Sequence, residues 1–313
     1  MLHVRVVCPP DRTDEVVDCL RATPGTAHLT LTRGAAVAPE GDLVAADVAR
    51  EAVDGVLAAL SDRGVDRVGG ITVEPLETVL SDAADRAEEA APGLGSDALV
   101  WDELVGRTGE EARPSVSFLA LLIIACLLAA IGVVTNSPVT IVGAMVVGPE
   151  FGPLAALAVG LVGRRGDLAG RALRALGVGF PLALVVTAVA AVVAEAAGLV
   201  TVSPLESADQ VDFIYQVGPF SLIVALLAGA AGMLAMTSAK SAALVGVFIS
   251  VTTVPAAGYA AVAATLGDWS RCLSSLAQLA VNLVGIVVAA AVVLLLRTRT
   301  YRRRGLGRRL SEG

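Results

Sequence analysis

Between Ser115 and Leu296 the sequence has almost no charge, and this absence bounds the fold before any motif is considered. Apolar runs of eighteen or more residues read as membrane-spanning helices, because backbone N–H and C=O groups in hydrocarbon must pair within the segment. Cysteine is sparse. Cys8, Cys19, Cys126 and Cys272 lie far apart, with no CxxC and no histidine beside them. That spacing favours small buried residues over metal or redox roles, so no cofactor and no metal site are expected. Histidine is rarer still, and both copies, His3 and His28, precede the apolar region. The spans hold no serine–histidine, HExxH or paired-aspartate set, which argues against an intramembrane enzyme, and the chain is expected not to be one. The amino terminus also lacks the basic, apolar, small-residue order of a secretory signal, so the front domain is expected to stay in the cytoplasm.

What is present is unevenly spread. The net charge of −7 hides a basic tail of Arg297, Arg299, Arg302, Arg303, Arg304, Arg308 and Arg309. Beside a last apolar helix such a tail anchors topology on anionic lipid, and no nucleic-acid partner is expected.

The first eighty residues read as strand, helix, strand, strand, helix, strand. Leu2, Val4 and Val6 alternate with His3 and Arg5, the pattern of a half-buried strand. Asp11 or Thr13 can cap a helix whose apolar face is Val16, Cys19 and Leu20. Leu29 and Leu31 mark a second strand, a turn-rich stretch runs from Gly34 to Gly41, and Leu43 to Val48 form a third. Val53, Val56, Leu57 and Leu60 fall at helical spacing before Gly64, and Ile71 and Val73 give the fourth strand. This order predicts an α+β, ferredoxin-like cytoplasmic domain over residues 1–80. It would either bind a metabolite or serve packing and oligomerisation. A charged, partly helical connector over 81–114 follows, then a transmembrane domain over 115–296 and a basic cytoplasmic tail over 297–313.

Six spans are predicted, at roughly 115–135, 138–163, 172–197, 218–237, 241–266 and 272–296. On one side the loops carry Arg113, Arg164, Arg165, Arg171, Arg174, Lys240 and the arginine tail. The other side carries Glu206, Asp209 and Asp212, with Arg271 as its basic residue. The positive-inside bias then predicts a multi-pass protein of the cell inner (plasma) membrane with both termini cytoplasmic.

Two of these spans echo each other. Ile141 to Gly163 lines up with Leu244 to Gly267 at an offset of about a hundred residues, Val142-Gly143 upon Val245-Gly246. Three spans per copy is an odd number, so the copies are expected to be inverted, and paired interrupted spans point to a transport site at the bilayer midplane. The second span would be about 39 Å long as one helix, against a hydrocarbon core of about 30 Å. Its centre, Pro149-Glu150-Phe151-Gly152-Pro153, holds two prolines four apart, so a break is predicted there. Glu150 lies in the break, as either a proton- or cation-coupling group or a structural carboxyl bonding freed amides. At the matching depth of the fifth span, Thr252, Thr253 and Pro255 either complete a site or bend the helix by back-bonding. Asn282 in the sixth span is either a ligand or an interhelical hydrogen-bonding residue. The candidate substrate-binding set is therefore Glu150, Gly152, Pro153, Thr252, Thr253, Pro255 and Asn282.

The runs NSPVTIVGAMVVGPEFGP (Asn136 to Pro153), SAKSAALVGVFISVTTVPAAG (Ser238 to Gly258) and NLVGI (Asn282 to Ile286) resemble the prokaryotic membrane family called domain of unknown function 389. The resemblance marks Asn136, Ser137, Pro138, Gly143, Ala144, Met145, Pro149 and Gly246 as motif residues. It implies topology and not a substrate. The fold expected is an α-helical polytopic membrane protein of six spans, in two inverted three-helix repeats with broken middle helices. The function expected is transport or channelling of a small solute or ion, by a homo-oligomer in the lipid bilayer. The alternative is a membrane-anchored sensor whose front domain binds a metabolite or mediates oligomerisation.

Overall fold

The computed structural model describes residues 1–91, 100–198, 218–237 and 253–309, with side chains described to residue 298. The chain falls into two compact units, one built on Met1–Glu103 and the other on Leu104–Met236 and the C-terminal helices.

In the first unit four strands, β1 (Leu2–Cys8), β2 (Thr26–Val37), β3 (Glu40–Val48) and β4 (Gly70–Pro75), form one antiparallel sheet ordered β2-β3-β1-β4. Helix α1 (Thr13–Ala22) follows a 3-10 turn at Pro10–Arg12, and α2 (Arg50–Asp62) joins β3 to a short α3 (Val65–Val68). The alternation Leu2, Val4, Val6 meets Val16 and Leu20 of α1 and Val53, Val56, Leu57 and Leu60 of α2 in one buried core. That burial is the main stabilising contribution in this unit. The stretch read as turn-rich is instead mostly strand: β2 continues to Val37 and β3 starts at Glu40, leaving Ala38-Pro39 as the turn. Asp42 secures this hairpin. Its carboxylate accepts the Gly34 amide at 2.8 Å and the Thr13 hydroxyl at 2.7 Å, and these two bonds, the Gly34 one foremost, hold its carboxyl below the usual range. Thr13 thus bonds across to β3 and leaves α1 without a side-chain cap. The connector contributes α4 (Asp82–Ala90), capped by Ser81, and α5 (Trp101–Glu111).

The second unit holds α6 (Val116–Val134), α7 (Pro138–Val147), α8 (Phe151–Val162), α9 (Gly166–Ala196), α10 (Pro219–Thr237), α11 (Thr253–Thr265) and α12 (Trp269–Arg309). Among the described residues four helices are long and apolar enough to cross a membrane: α6, α9, α10 and the Trp269–Thr298 part of α12. Helices α7 and α8 pass that test only together, bent by 51° at their break. The predicted second span is therefore two helices. The third begins at Gly166, earlier than residue 172, and the last continues past residue 296 to Arg309. Of the predicted fifth span, α11 is described, while residues 238–252, including Lys240 and Gly246, lie outside the described residues. The predicted outer loop with Glu206, Asp209 and Asp212 lies outside them as well.

Short and long helices have different surroundings. Helix α11 is buried from Thr253 to Ala263, and α8 is buried at most positions from Phe151 to Gly160. A helix apolar on every face belongs in an interior. The long helices α9 and α12 instead expose rows such as Val178, Leu182, Val185, Val189 and Val284, Val288, Val292. The packing is reciprocal: α8 lies against α9 and α12, and α11 lies against α12 and α9.

The helix bounds also recur. Helices α6 and α10 begin 103 residues apart, the separation between Glu150 and Thr253. The turn after α8 is rebuilt after α11 at the same offset. Arg165 N–H donates to Gly160 at 2.8 Å and Asp268 N–H to Ala263 at 3.0 Å, while Gly163 and Leu266 cap onto Val159 and Val262. Arg164 and Gly267 take left-handed φ values at the matching position.

Candidate functional site

The NSP signature is a helix-to-helix corner. Asn136 adopts φ 49 after α6, its amide bonded to the Val133 carbonyl at 3.2 Å. Asparagine tolerates that left-handed conformation better than most residues. Ser137 then caps α7 by accepting the Thr140 amide, and Pro138 fills the first helical position, where a missing N–H is harmless. Ala144 and Met145 are buried, Pro149 is half-buried, and Gly143 is exposed with open space around it among the described residues.

Helix α7 ends at Val147 and α8 starts at Phe151, so Gly148-Pro149-Glu150 is the break that the two prolines predict. Glu150 is the residue preceding α8, and its side chain is fully buried. Its carboxylate accepts the hydroxyl of Thr253, the first residue of α11. Thus the residue preceding α8 and the first described residue of α11 meet through one buried hydrogen bond. A buried carboxylate is tolerated when bonded, and an amino-terminal helix end favours negative charge. Gly152 and Pro153 occupy the first turn of α8 and Pro255 the first turn of α11, all buried. Asn282 is placed further along α12, where its Oδ1 accepts from Gln278 Nε2 at 3.3 Å. Thr252 lies outside the described residues.

Two contributors escape a reading of the sequence. Glu111, at the end of α5, packs on the first turn of α8: a Cβ at Gly152 would lie 2.7 Å from both its Cβ and its Oε2. Burial raises the Glu111 carboxyl, and Arg107 at 3.8 Å opposes that rise. The signal available was a glutamate pair, Glu110-Glu111, just ahead of the first apolar run. The second contributor is the polar face of α12, where Ser275 and Gln278 are buried with Asn282. Their spacing of three and four residues puts them on one helix face.

Among the described residues no group of three or more histidine, cysteine, aspartate or glutamate side chains is arranged to hold a metal ion. No curated protein and no solved structure matches the chain. A family model described as Domain of unknown function (DUF389) matches residues 145–288, from the end of α7 through both short helices and into α12. That match, which covers the break, the Glu150–Thr253 contact and Asn282, supports assignment of the chain to the DUF389 family.

Proposed function

We propose that this chain is an integral membrane protein of six spans in two inverted three-helix halves, and that it moves a small solute or ion. The translocation site is where the two short helices begin. The observation that carries this reading is the bond between Glu150 and Thr253, which joins equivalent positions of two recurring units at the amino ends of half-length helices. At about 1.5 Å per residue, α8 reaches only about 18 Å, too short to cross a hydrocarbon core of about 30 Å alone. Paired half-helices of this kind mark the binding site in many secondary transporters.

Three crossings per half make the halves opposite in direction, and the charge on the twin turns supports this. The first turn carries Arg164 and Arg165, with Arg171 and Arg174 just beyond. At the matching positions the second carries Gly267, Asp268, Ser274 and Ala277. Equal geometry with unequal charge is what the positive-inside rule asks of turns on opposite faces, and it supports a reading with both termini in the cytoplasm of a cell inner membrane. The Glu150 carboxylate already occupies the place that the helix ends would offer an anion. The site therefore suits a proton or cation, with Thr252, Thr253 and Asn282 as further polar contacts. Gly152, Pro153 and Pro255 shape the break. The assembly is read as a homo-oligomer in the bilayer, with no catalytic role for the spans. The strand order of the first unit supports a ferredoxin-like cytoplasmic domain.

The test is solute flux into proteoliposomes at varied pH, comparing wild type with Glu150→Gln. Flux that the substitution alters supports the reading, and flux indifferent to it moves coupling elsewhere. Because the first unit has its own core, a membrane-anchored sensor is the second reading. No flux across a broad solute panel, with metabolite binding by the full chain, would select it.

A further inference from the structure

Both histidines of the first unit converge on one carboxylate. His3 Nδ1 lies 2.6 Å from Asp47 Oδ1, and His28 Nδ1 lies 2.7 Å from Asp47 Oδ2. On its other side His28 Nε2 lies 2.8 Å from Ser81 Oγ. The hydrogens can be assigned from the partners. Burial would raise the Asp47 carboxyl, but the bonds from His3 and His28 outweigh it and hold the group below the usual carboxylate range. An ionised carboxylate can only accept, so both Nδ1 atoms carry hydrogen. Ser81 caps α4, its oxygen accepting the amides of Ala83 and Ala84 at 3.2 and 3.4 Å. With its oxygen accepting there, its single hydrogen is directed at His28 Nε2. The chain of bonds therefore runs from a serine hydroxyl through the His28 ring to a carboxylate.

The backbone is shaped to bring this about. His3 and Ala27 both pair with Asp47 across the sheet, on the face away from α1 and α2. On a regular strand the next residue, His28, would turn to the opposite face. Instead the register of β2 shifts between Ala27 and Thr30, and His28 takes φ 50. A bulge re-aims a side chain, and a left-handed conformation at a non-glycine residue has to be held by its surroundings.

We propose that Ser81 is a nucleophile for acyl transfer from small esters, with His28 as its base and Asp47 and His3 as positioning residues. Ser81 Oγ bonds to the acyl carbon while its hydrogen passes to His28 Nε2. That proton then leaves with the alkoxide as the ester C–O bond breaks, and water repeats the steps to release the acid. The Asp82 N–H, the leading amide of α4, supports the developing oxyanion. The His28 side chain is 38% exposed and Ser81 is half-buried, which leaves the pair within reach of a small acyl donor. This extends to the first unit a chemistry that the spans do not carry, and it stands apart from the transport reading.

The test treats the full-length protein in detergent with p-nitrophenyl acetate and maps acetylated peptides by mass spectrometry. The expected result is acetylation at Ser81, at a rate that rises with pH as general-base catalysis requires. His28→Gln should slow it by about a hundred-fold. Ser81→Asn, which keeps a capping side chain, should remove the label with circular dichroism unchanged, and His3→Gln should shift the pH profile without abolishing reaction. Absence of acetyl on Ser81, or equal rates in wild type and a folded His28→Gln variant, overturns the proposal.

Discussion

Arg164 and Gly267 hold the same left-handed position in twin turns, with φ of 54 and 75. A side chain there costs roughly 1–2 kcal/mol, which glycine avoids. Arg164→Gly should therefore raise stability by about 1 kcal/mol, read as a higher Tm in detergent, and Gly267→Arg should lower it. Equal melting of all three proteins would contradict the equivalence of the turns.

Gly229 fixes how closely α10 approaches α12. A Cβ there would fall 2.4 Å from the Ile286 carbonyl oxygen and 2.8 Å from its Cα, backbone atoms that have no room to yield. Gly229→Ala should destabilise the helical unit by about 1–3 kcal/mol. Gly177→Ala in α9, where nothing among the described residues lies within 4 Å, should instead gain about 1 kcal/mol from helix propensity. Thermal unfolding of the two variants side by side checks both signs.

Thr253→Val removes the hydroxyl that bonds the buried Glu150 carboxylate. The expected loss is about 1.5–3 kcal/mol, and Thr253→Ser should recover most of it. A double variant with Glu150→Ala should lose less than the two single changes added together, because each single change already removes the shared bond.

Asp54 links α2 to the start of α5 by accepting the Trp101 amide at 3.0 Å, beside an Arg50–Glu103 ion pair of 2.7 Å. Burial raises its carboxyl from 3.8 to about 6, against the pull of the Trp101 amide. The folded value stands above the unfolded one, so this contribution is fully present at low pH and is lost as pH rises from about 4 to about 6. Asp54→Asn should make the protein more stable near neutral pH by on the order of 1 kcal/mol, with no difference in mild acid. Melting curves across that range would contradict this if the variant gained equally at both ends.

Periodicity made much of the first unit readable. Leu2, Val4 and Val6, and the spacing of Val53, Val56, Leu57 and Leu60, gave the elements and the core faces. The hairpin was misjudged because Gly34 to Gly41 is rich in turn formers, yet Gly34 is held in strand by Asp42, a residue eight positions away. The break at Pro149 to Pro153 was legible from the loss of two amide donors, and Glu150 and Thr253 were both singled out. That they bond each other depends on packing between helices a hundred residues apart, which no local pattern encodes. Glu111 and the His3–Asp47–His28 cluster were missed for the same reason, since a bulge or a close helix approach brings together residues that are individually ordinary.

The substitution of Arg165 in one turn by Asp268 in the other has a further consequence. Without such differences the two halves would be indistinguishable to the insertion machinery. On the inverted arrangement proposed above, a half-length ancestor lacking them would have no preferred orientation, and copies inserted head-up and head-down could join as the two halves of one chain would.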